Sequence, residues 1–207
     1  MRHSVSAALL VGTLAFVALP VQAAATKPPR PAPAQAAPIW VVDPAASRLT
    51  FKATANGVSF DGVFRKWDAQ IAFDPAKLAA SRAVVSIDVG SVVTGDPQRD
   101  GMLPESDWFA TRAFPKATFT TTAFRATGPG AWAAEGDLRI RNATRHIVLP
   151  FTLTFGKDGS RAEIVHMQGQ TTIDRSQFGV GGGQFASPET VANGVVVTIR
   201  ITAKKGG

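Results

Sequence analysis

From Ile39 onward the chain is built of short runs in which apolar and polar residues alternate, each ended by Gly, Pro, Asn or Asp. A period of two sends successive side chains to opposite faces of an extended strand, so each run has one face to bury and one to wet. Ile147, Leu149, Phe151, Leu153 and Phe155 share a face, as do Ala83, Val85, Ile87 and Val89. Leu49 pairs with Phe51 in 47–53, and Trp67, Ala69, Ile71 and Phe73 share a parity in 63–73. Phe64, three residues before Trp67, is off that parity, and a bulge is expected to turn both inward. Phe119 marks the Thr-rich run 117–123, Leu138 and Ile140 the run 132–140, and 165–173 and 195–203 supply two more. Helical periodicity is weak, with a turn or two suggested at 75–81 and at 105–114. About eight amphipathic strands feeding one interior predict an all-β protein: an antiparallel eight-stranded β-barrel with a short helix in the Gly95–Pro115 connection.

The first 38 residues follow another rule. Arg2 and His3 precede an apolar run from Val5 to Leu19, then Pro20 and the small-residue pattern Val21-Gln22-Ala23. These are the parts of a secretory signal peptide, expected over 1–23, with cleavage after Ala23 or Ala25. The Pro/Ala tract 24–38 reads as an extended, disordered linker into a domain over 39–207. The expected location is therefore periplasmic or secreted. The sequence contains no cysteine. That excludes disulfides, thiolate metal sites and anchoring through a lipidated N-terminal Cys, and leaves burial and strand pairing to stabilise the domain. The formal charge of +7 becomes +6 once Arg2 leaves with the leader. The basic residues are scattered, with no run longer than Lys204-Lys205. This argues against a nucleic-acid partner and for a solvated surface.

The densest ionisable stretch is 91–115, SVVTGDPQRDGMLPESDWFATRAFP. Acid–base catalysis by paired carboxylates needs two groups in different environments facing one cavity. Here each acid stands beside turn formers or where a helix begins. Capping by Ser106 or Asp107 and pairing of Arg99 with Asp100 or another acid are the expected roles. A hydrolytic or isomerising site over Asp96–Asp107 is the alternative. His146 and His166 lack ligand spacing, no G-x-S-x-G elbow is present, and Gly179–Gly183 lacks the Lys-Ser/Thr of a phosphate loop. The expectation is no catalytic residue and no metal. What remains is the interior, which in a barrel of eight strands is either filled by side chains or open to a small ligand. A filled barrel would act through its surface on a partner protein.

The order of short motifs narrows this choice. Trp40, Asp43-Pro44, Ser47, Leu49 and Phe51 are followed by Gly62, Phe64 and Trp67, then by Phe73-Asp74-Pro75. Ser91 to Asp100 (S-V-V-T-G-x-x-x-R-D), Asp107-Trp108-Phe109 and Phe114 to Phe119 (F-P-x-A-x-F) come next, then Gly136-Asp137-Leu138, Leu149-Pro150-Phe151 and Ile173 to Val180 (I-D-R-S-x-F-G-V). Together, from about Ile39 to Ala203, the chain resembles the YceI-like family of exported, lipocalin-like polyisoprenoid-binding proteins. The resemblance implies a non-enzymatic carrier with no covalent cofactor, holding a polyisoprenoid such as a polyprenyl quinone in an apolar tunnel. A membrane surface or a quinone-using membrane protein is the implied further partner. Phe51, Phe64, Trp67 and Ile71 would line the tunnel with Phe119, Leu138 and Phe151, and Trp108 and Phe109 would stand near its mouth. A strand of nine residues spans roughly 30 Å, room for several isoprene units, each contributing about 0.8 kcal/mol per buried CH₂. Two departures stand out. Arg141-Asn142 occupies a turn where the family usually has a small residue such as Gly, Asn being tolerant of left-handed turns. Gly181 to Phe185 is a glycine-rich version of a variable loop and is expected to alter the rim.

Overall fold

The computed structural model of the protein describes residues 36–206. The leader expected over 1–23 and almost all of the linker expected over 24–38 lie outside the described residues. The described residues form eleven strands, all paired antiparallel. These are β1 (Ile39–Val42), β2 (Arg48–Ala55), β3 (Val58–Phe64), β4 (Trp67–Ala72), β5 (Arg82–Asp88), β6 (Val92–Val93) and β7 (Lys116–Gly128). β8 (Ala131–Ile140), β9 (Ala143–Lys157), β10 (Glu163–Asp174) and β11 (Gly194–Lys205) complete the set. Eight close a ring in the order β1-β4-β5-β7-β8-β9-β10-β11, with β11 returning to β1. β2, β3 and β6 branch from β11 as a flap.

The alternating runs become strands because only pairing satisfies their backbone groups while one face is buried. β9 and β10 pair from Glu163↔Lys157 to Gly169↔Phe151, and β10 and β11 from Ile164↔Lys204 to Asp174↔Gly194. Trp40, Phe73, Leu149 and Phe151 belong to the main core. The Trp40 indole N–H donates to the Phe73 carbonyl at 2.9 Å, so that ring is buried without an orphaned donor.

Two expectations are corrected. The single bulged strand over 63–73 is two strands, β3 and β4, separated by a corner at Arg65 and Lys66. There the chain leaves β6 for β5: Arg65 N–H donates to Ser91 O, and the Lys66 carbonyl accepts from Asp88 N–H. The helix of the Gly95–Pro115 connection, α1, spans Pro97–Met102 and not 105–114. Asp96 caps it, accepting from Gln98 and Arg99 N–H, and proline stands at its first turn, a combination that favours a helix start. Residues 103–113 are successive turns, with Ala110 left-handed at φ 50°. The β2–β3 hairpin was not anticipated, although Asn56-Gly57 (φ 49° and 77°) is a strong tight-turn signal.

Gly136 shows how a short motif serves the fold. It pairs with Thr121, where β7 is bulged between Thr121 and Ala123. A Cβ on it would lie 2.4 Å from the Thr120 carbonyl oxygen and 2.8 Å from the Thr121 Cα. Backbone cannot yield as a side chain end would. Gly136→Ala is expected to destabilise the domain by about 1–3 kcal/mol, read as a lower urea midpoint with an unchanged slope.

Candidate functional site

The ring encloses an apolar cavity of about 150 Å³. The faces that alternation assigned inward meet on its wall: Ala83, Val85 and Ile87 from β5, and Ile147, Leu149 and Leu153 from β9. Five of the nine residues expected to touch a ligand are also there: Trp67, Ile71, Phe119, Leu138 and Phe151. The two hydroxyls on this wall are already engaged. Thr121 Oγ1 accepts from Ala83 N–H at 2.7 Å and donates to the Ala83 carbonyl, and Thr171 donates to the Val148 carbonyl at 3.0 Å. The cavity therefore offers hydrocarbon contact and no free polar handle.

The other four expected residues sit elsewhere. Phe51, Phe64, Trp108 and Phe109 line a second apolar cavity of about 100 Å³, shared with Phe178 and Val180. Phe51 and Phe64, expected along the main tunnel, belong to this end because they lie on the flap strands, whose inner face packs on the 103–109 turns. Their rings form a chain, Phe51 to Phe64 at 5.6 Å and Phe64 to Phe109 at 5.9 Å. Ile173 is on the wall of both cavities. The Trp108 indole Nε1 is buried with no protein partner among the described residues.

Two arginines hold this end together. Arg175, 4% exposed, donates to five carbonyls, those of Ala192, Val180, Gly181, Phe185 and Val191, at 2.5–3.2 Å. Burial pushes its pKa down from the ordinary value, opposed by the neighbouring Asp174. Gly181 is left-handed at φ 78°, and a Cβ there would fall 2.2 Å from the Arg175 Nη1. The second is Arg141, itself left-handed at φ 54°. The left-handed residue of that turn is the arginine and not Asn142. Its guanidinium donates to the Trp108 carbonyl at 3.0 Å and to the Gly179 carbonyl. The glycine-rich loop closes on the same segment: Gly181 and Gly182 N–H both donate to the Asp107 carbonyl at 2.7 Å, and Phe185 packs on Trp108 with ring centroids 5.1 Å apart. Sequence reasoning treated Arg175 only as a motif letter. A lone arginine between a strand and a glycine-rich loop was the available signal.

Among the acids of 91–115, Asp96 and Asp100 have structural partners. Asp96, rather than Ser106 or Asp107, caps the helix. Arg99 pairs with a neighbouring acid of the loop, as expected, the partner being Asp96 at 3.3 Å, and its guanidinium stacks 4.4 Å over the Phe60 ring. Asp100 accepts from the Thr94 N–H and hydroxyl, both at 2.7 Å. The Thr94 hydroxyl holds its carboxyl below the usual value, helped by backbone N–H groups and by the charge of Arg99. Glu105 and Asp107 are exposed. On the outer surface His146 Nδ1 lies 3.2 Å from Asp137. Among the described residues no three His, Cys, Asp or Glu group to hold a metal ion.

A family model described as a YceI-like domain matches residues 40–203. A UPF0312 protein of Pseudomonas savastanoi pv. phaseolicola is 32% identical over 136 residues, which are 65% of this chain and 71% of that protein. The crystal structure of Burkholderia cenocepacia BcnA superimposes with a TM-score of 0.71 at 31% identity, covering 78% of this chain and 99% of that one. A polyisoprenoid binding domain from Saccharophagus degradans, implicated in plant cell wall breakdown, has a TM-score of 0.61. It covers 82% of this chain and 99% of that one, and at 17% identity it shares the fold.

Arg175→Met should strand several buried carbonyls, at about 1–3 kcal/mol each. The expected result is a loss of about 3 kcal/mol or more in chemical denaturation and faster proteolysis within 175–193. Acid should loosen the same end. Asp100 and Asp174 both have carboxyls held below 3.8, the latter chiefly by the Ser176 hydroxyl. The unfolded chain therefore takes up these protons first, so their contribution is complete above about pH 4 and fades as the pH falls through the lower folded values. Stability curves should be flat in this contribution from pH 7 to 5 and fall below pH 4, with a weaker fall in Asp100→Asn.

Proposed function

The chain belongs to the YceI-like domain family, and on that premise we propose that it is an exported, non-enzymatic carrier that holds a polyisoprenoid lipid, such as a polyprenyl quinone, inside its barrel. The observation that carries this reading is the closed ring around an interior whose wall is hydrocarbon and whose two hydroxyls are bonded to backbone. An interior of that kind distinguishes ligands by shape and apolarity. The Saccharophagus degradans domain of the same fold, described as polyisoprenoid binding, supports the class of ligand. The buried indole N–H of Trp108 supplies a donor at the lidded end, suited to the oxygen of a quinone or prenol. The basic leader and small-residue cleavage pattern support delivery to the periplasm or beyond.

Size adds a constraint. An apolar cavity of about 150 Å³ admits a group the size of benzene, about one isoprene unit. A longer chain therefore requires interior side chains to swing aside, or the main and end cavities to join where Ile173 borders both. Loading is expected to be coupled to side-chain rearrangement and to raise the melting temperature with the logarithm of the free ligand concentration once that exceeds Kd.

Native mass spectrometry of the gently purified protein, with titration of its tryptophan fluorescence by a polyprenyl quinone, tests this. The expected results are a bound mass and saturable quenching. A clean unliganded mass together with no quenching would overturn the reading. Met167→Trp, which places an indole on the cavity wall, should displace roughly two methylenes of contact and weaken uptake about tenfold, with the fold intact by circular dichroism.

A further inference from the structure

The ring is stitched unevenly. β1 and β4 pair only at Ile39↔Ala72 and Trp40↔Ile71. Trp40 pairs with β11 as well, and Val41 and Val42 continue along β11 alone. Along Trp67–Gln70, β4 pairs with β5 on one side and has no strand on the other among the described residues. A cleft of about 860 Å³ occupies the gap, reaching from β1 to the β3–β4 corner. Its lining mixes the two faces of the wall: Val41, Asp68 and Gln70 point outward by parity, while Trp40, Trp67 and Ile71 also line the inner cavity. The cleft is thus a slot in the barrel wall, with three side chains between it and the interior.

The rim of the slot is both cationic and greasy. Arg48, Arg65 and Arg82 line it, with Asp68 as an acid among them. Arg48 donates to the Ala45 and Ser47 carbonyls, which are neutral acceptors. The side chains of Arg65 and Arg82 make no ion pair or hydrogen bond among the described residues. Beside them Ile39 and Val41 are 62% and 60% exposed, and Val84 is 40% exposed. Apolar side chains interleaved with unpaired arginines suit the boundary of an anionic bilayer, where one partitions into the acyl region and the other meets phosphate. A peptide strand added to β4 would need a free edge of useful length. Here that edge is four residues long and carries Asp68, a charge of the kind that protects edges.

Resting on the carrier reading, we infer that this slot is a lateral gate. Its rim docks on an anionic lipid surface, and the isoprenoid chain passes sideways between β4 and β1, past Trp40, Trp67 and Ile71, without threading the arginine-clamped end.

The chain contains no cysteine, so a crosslink can be placed without background. Continuing the β1–β4 register sets Val41 opposite Gln70, both exposed. In Val41→Cys/Gln70→Cys a short bis-maleimide should staple the slot. Loading is followed by tryptophan quenching from phosphatidylglycerol/phosphatidylcholine vesicles carrying a polyprenyl quinone. The bridged protein is expected to load at least about tenfold more slowly than the same unbridged pair. Equal rates would overturn the gate. In a cargo-free arm, Arg65→Gln/Arg82→Gln should reduce sedimentation with phosphatidylglycerol vesicles roughly 30-fold and leave neutral vesicles unaffected. Unchanged sedimentation, or dimerisation through this edge in place of vesicle binding, would overturn the docking surface. A wild-type chain that takes up quinone from neither vesicles nor detergent overturns the carrier reading instead, and the cargo-free arm still decides the docking surface.

Discussion

The structure depends on how β11 divides its edges. One edge pairs with β10 over eleven successive positions. The other is shared, Val196–Arg200 with β2 and Ala203–Lys205 with β1. The second of these closes the sheet on itself, and closure removes the exposed edges that a sheet of this length would otherwise carry. It also fixes what the interior can be. With every strand amphipathic and the sheet wrapped round, the apolar faces have nowhere to point except toward one another. The same division has a cost. While β11 is bonded to β2 it cannot also serve β1, so β1 is short, and β4 loses its partner beyond Ile71. Closure of the ring and the slot in its wall are two results of one strand having only two edges.

The ends of such a barrel pose a second problem, because loops crossing an apolar interior bring backbone polar groups that must find partners. At the α1 end two arginines supply donors where no strand reaches. Arg175 gathers carbonyls from the 180–192 loop, and Arg141 reaches from the β8–β9 turn to Trp108 and Gly179. A guanidinium has five N–H donors in a planar fork, which suits it to carbonyls converging from different directions. The acids of the 91–115 connection do related work, capping α1 and holding Thr94. This end is built as a rigid closure, which is why mobility of cargo is better sought at the unpaired edge of β4.

Much of this was legible beforehand. Parity alone placed Ala83, Val85, Ile87, Ile147, Leu149 and Phe151 on one interior surface, since a strand with one buried face has no freedom in which residues it turns inward. Trp67, Ile71, Phe119 and Leu138 follow the same rule. Phe51, turned inward by parity, and Phe64, turned inward by an expected bulge, lie in the end cavity, because neither argument distinguishes positions along the barrel axis. The helix was misplaced because the apolar residues of 105–114 suggested a buried face. Asp96-Pro97 marked the true start, and the cap outweighs weak periodicity in so short a segment. The partners of Arg175 and Arg141 were not legible, as they are carbonyls up to 38 residues away.

The sequence by itself therefore determined an all-β chain, which residues face its interior, and the apolar character of that interior. Those properties follow from a period of two and from the absence of charged side chains at alternate positions. Only the tertiary structure decided where the ring closes, that β4 and β1 part company after two pairs, and that the interior is divided between a main cavity and a clamped end. Those outcomes depend on which distant strands compete for the edges of β11 and on carbonyls brought together by loops. Neither leaves a local mark in the chain.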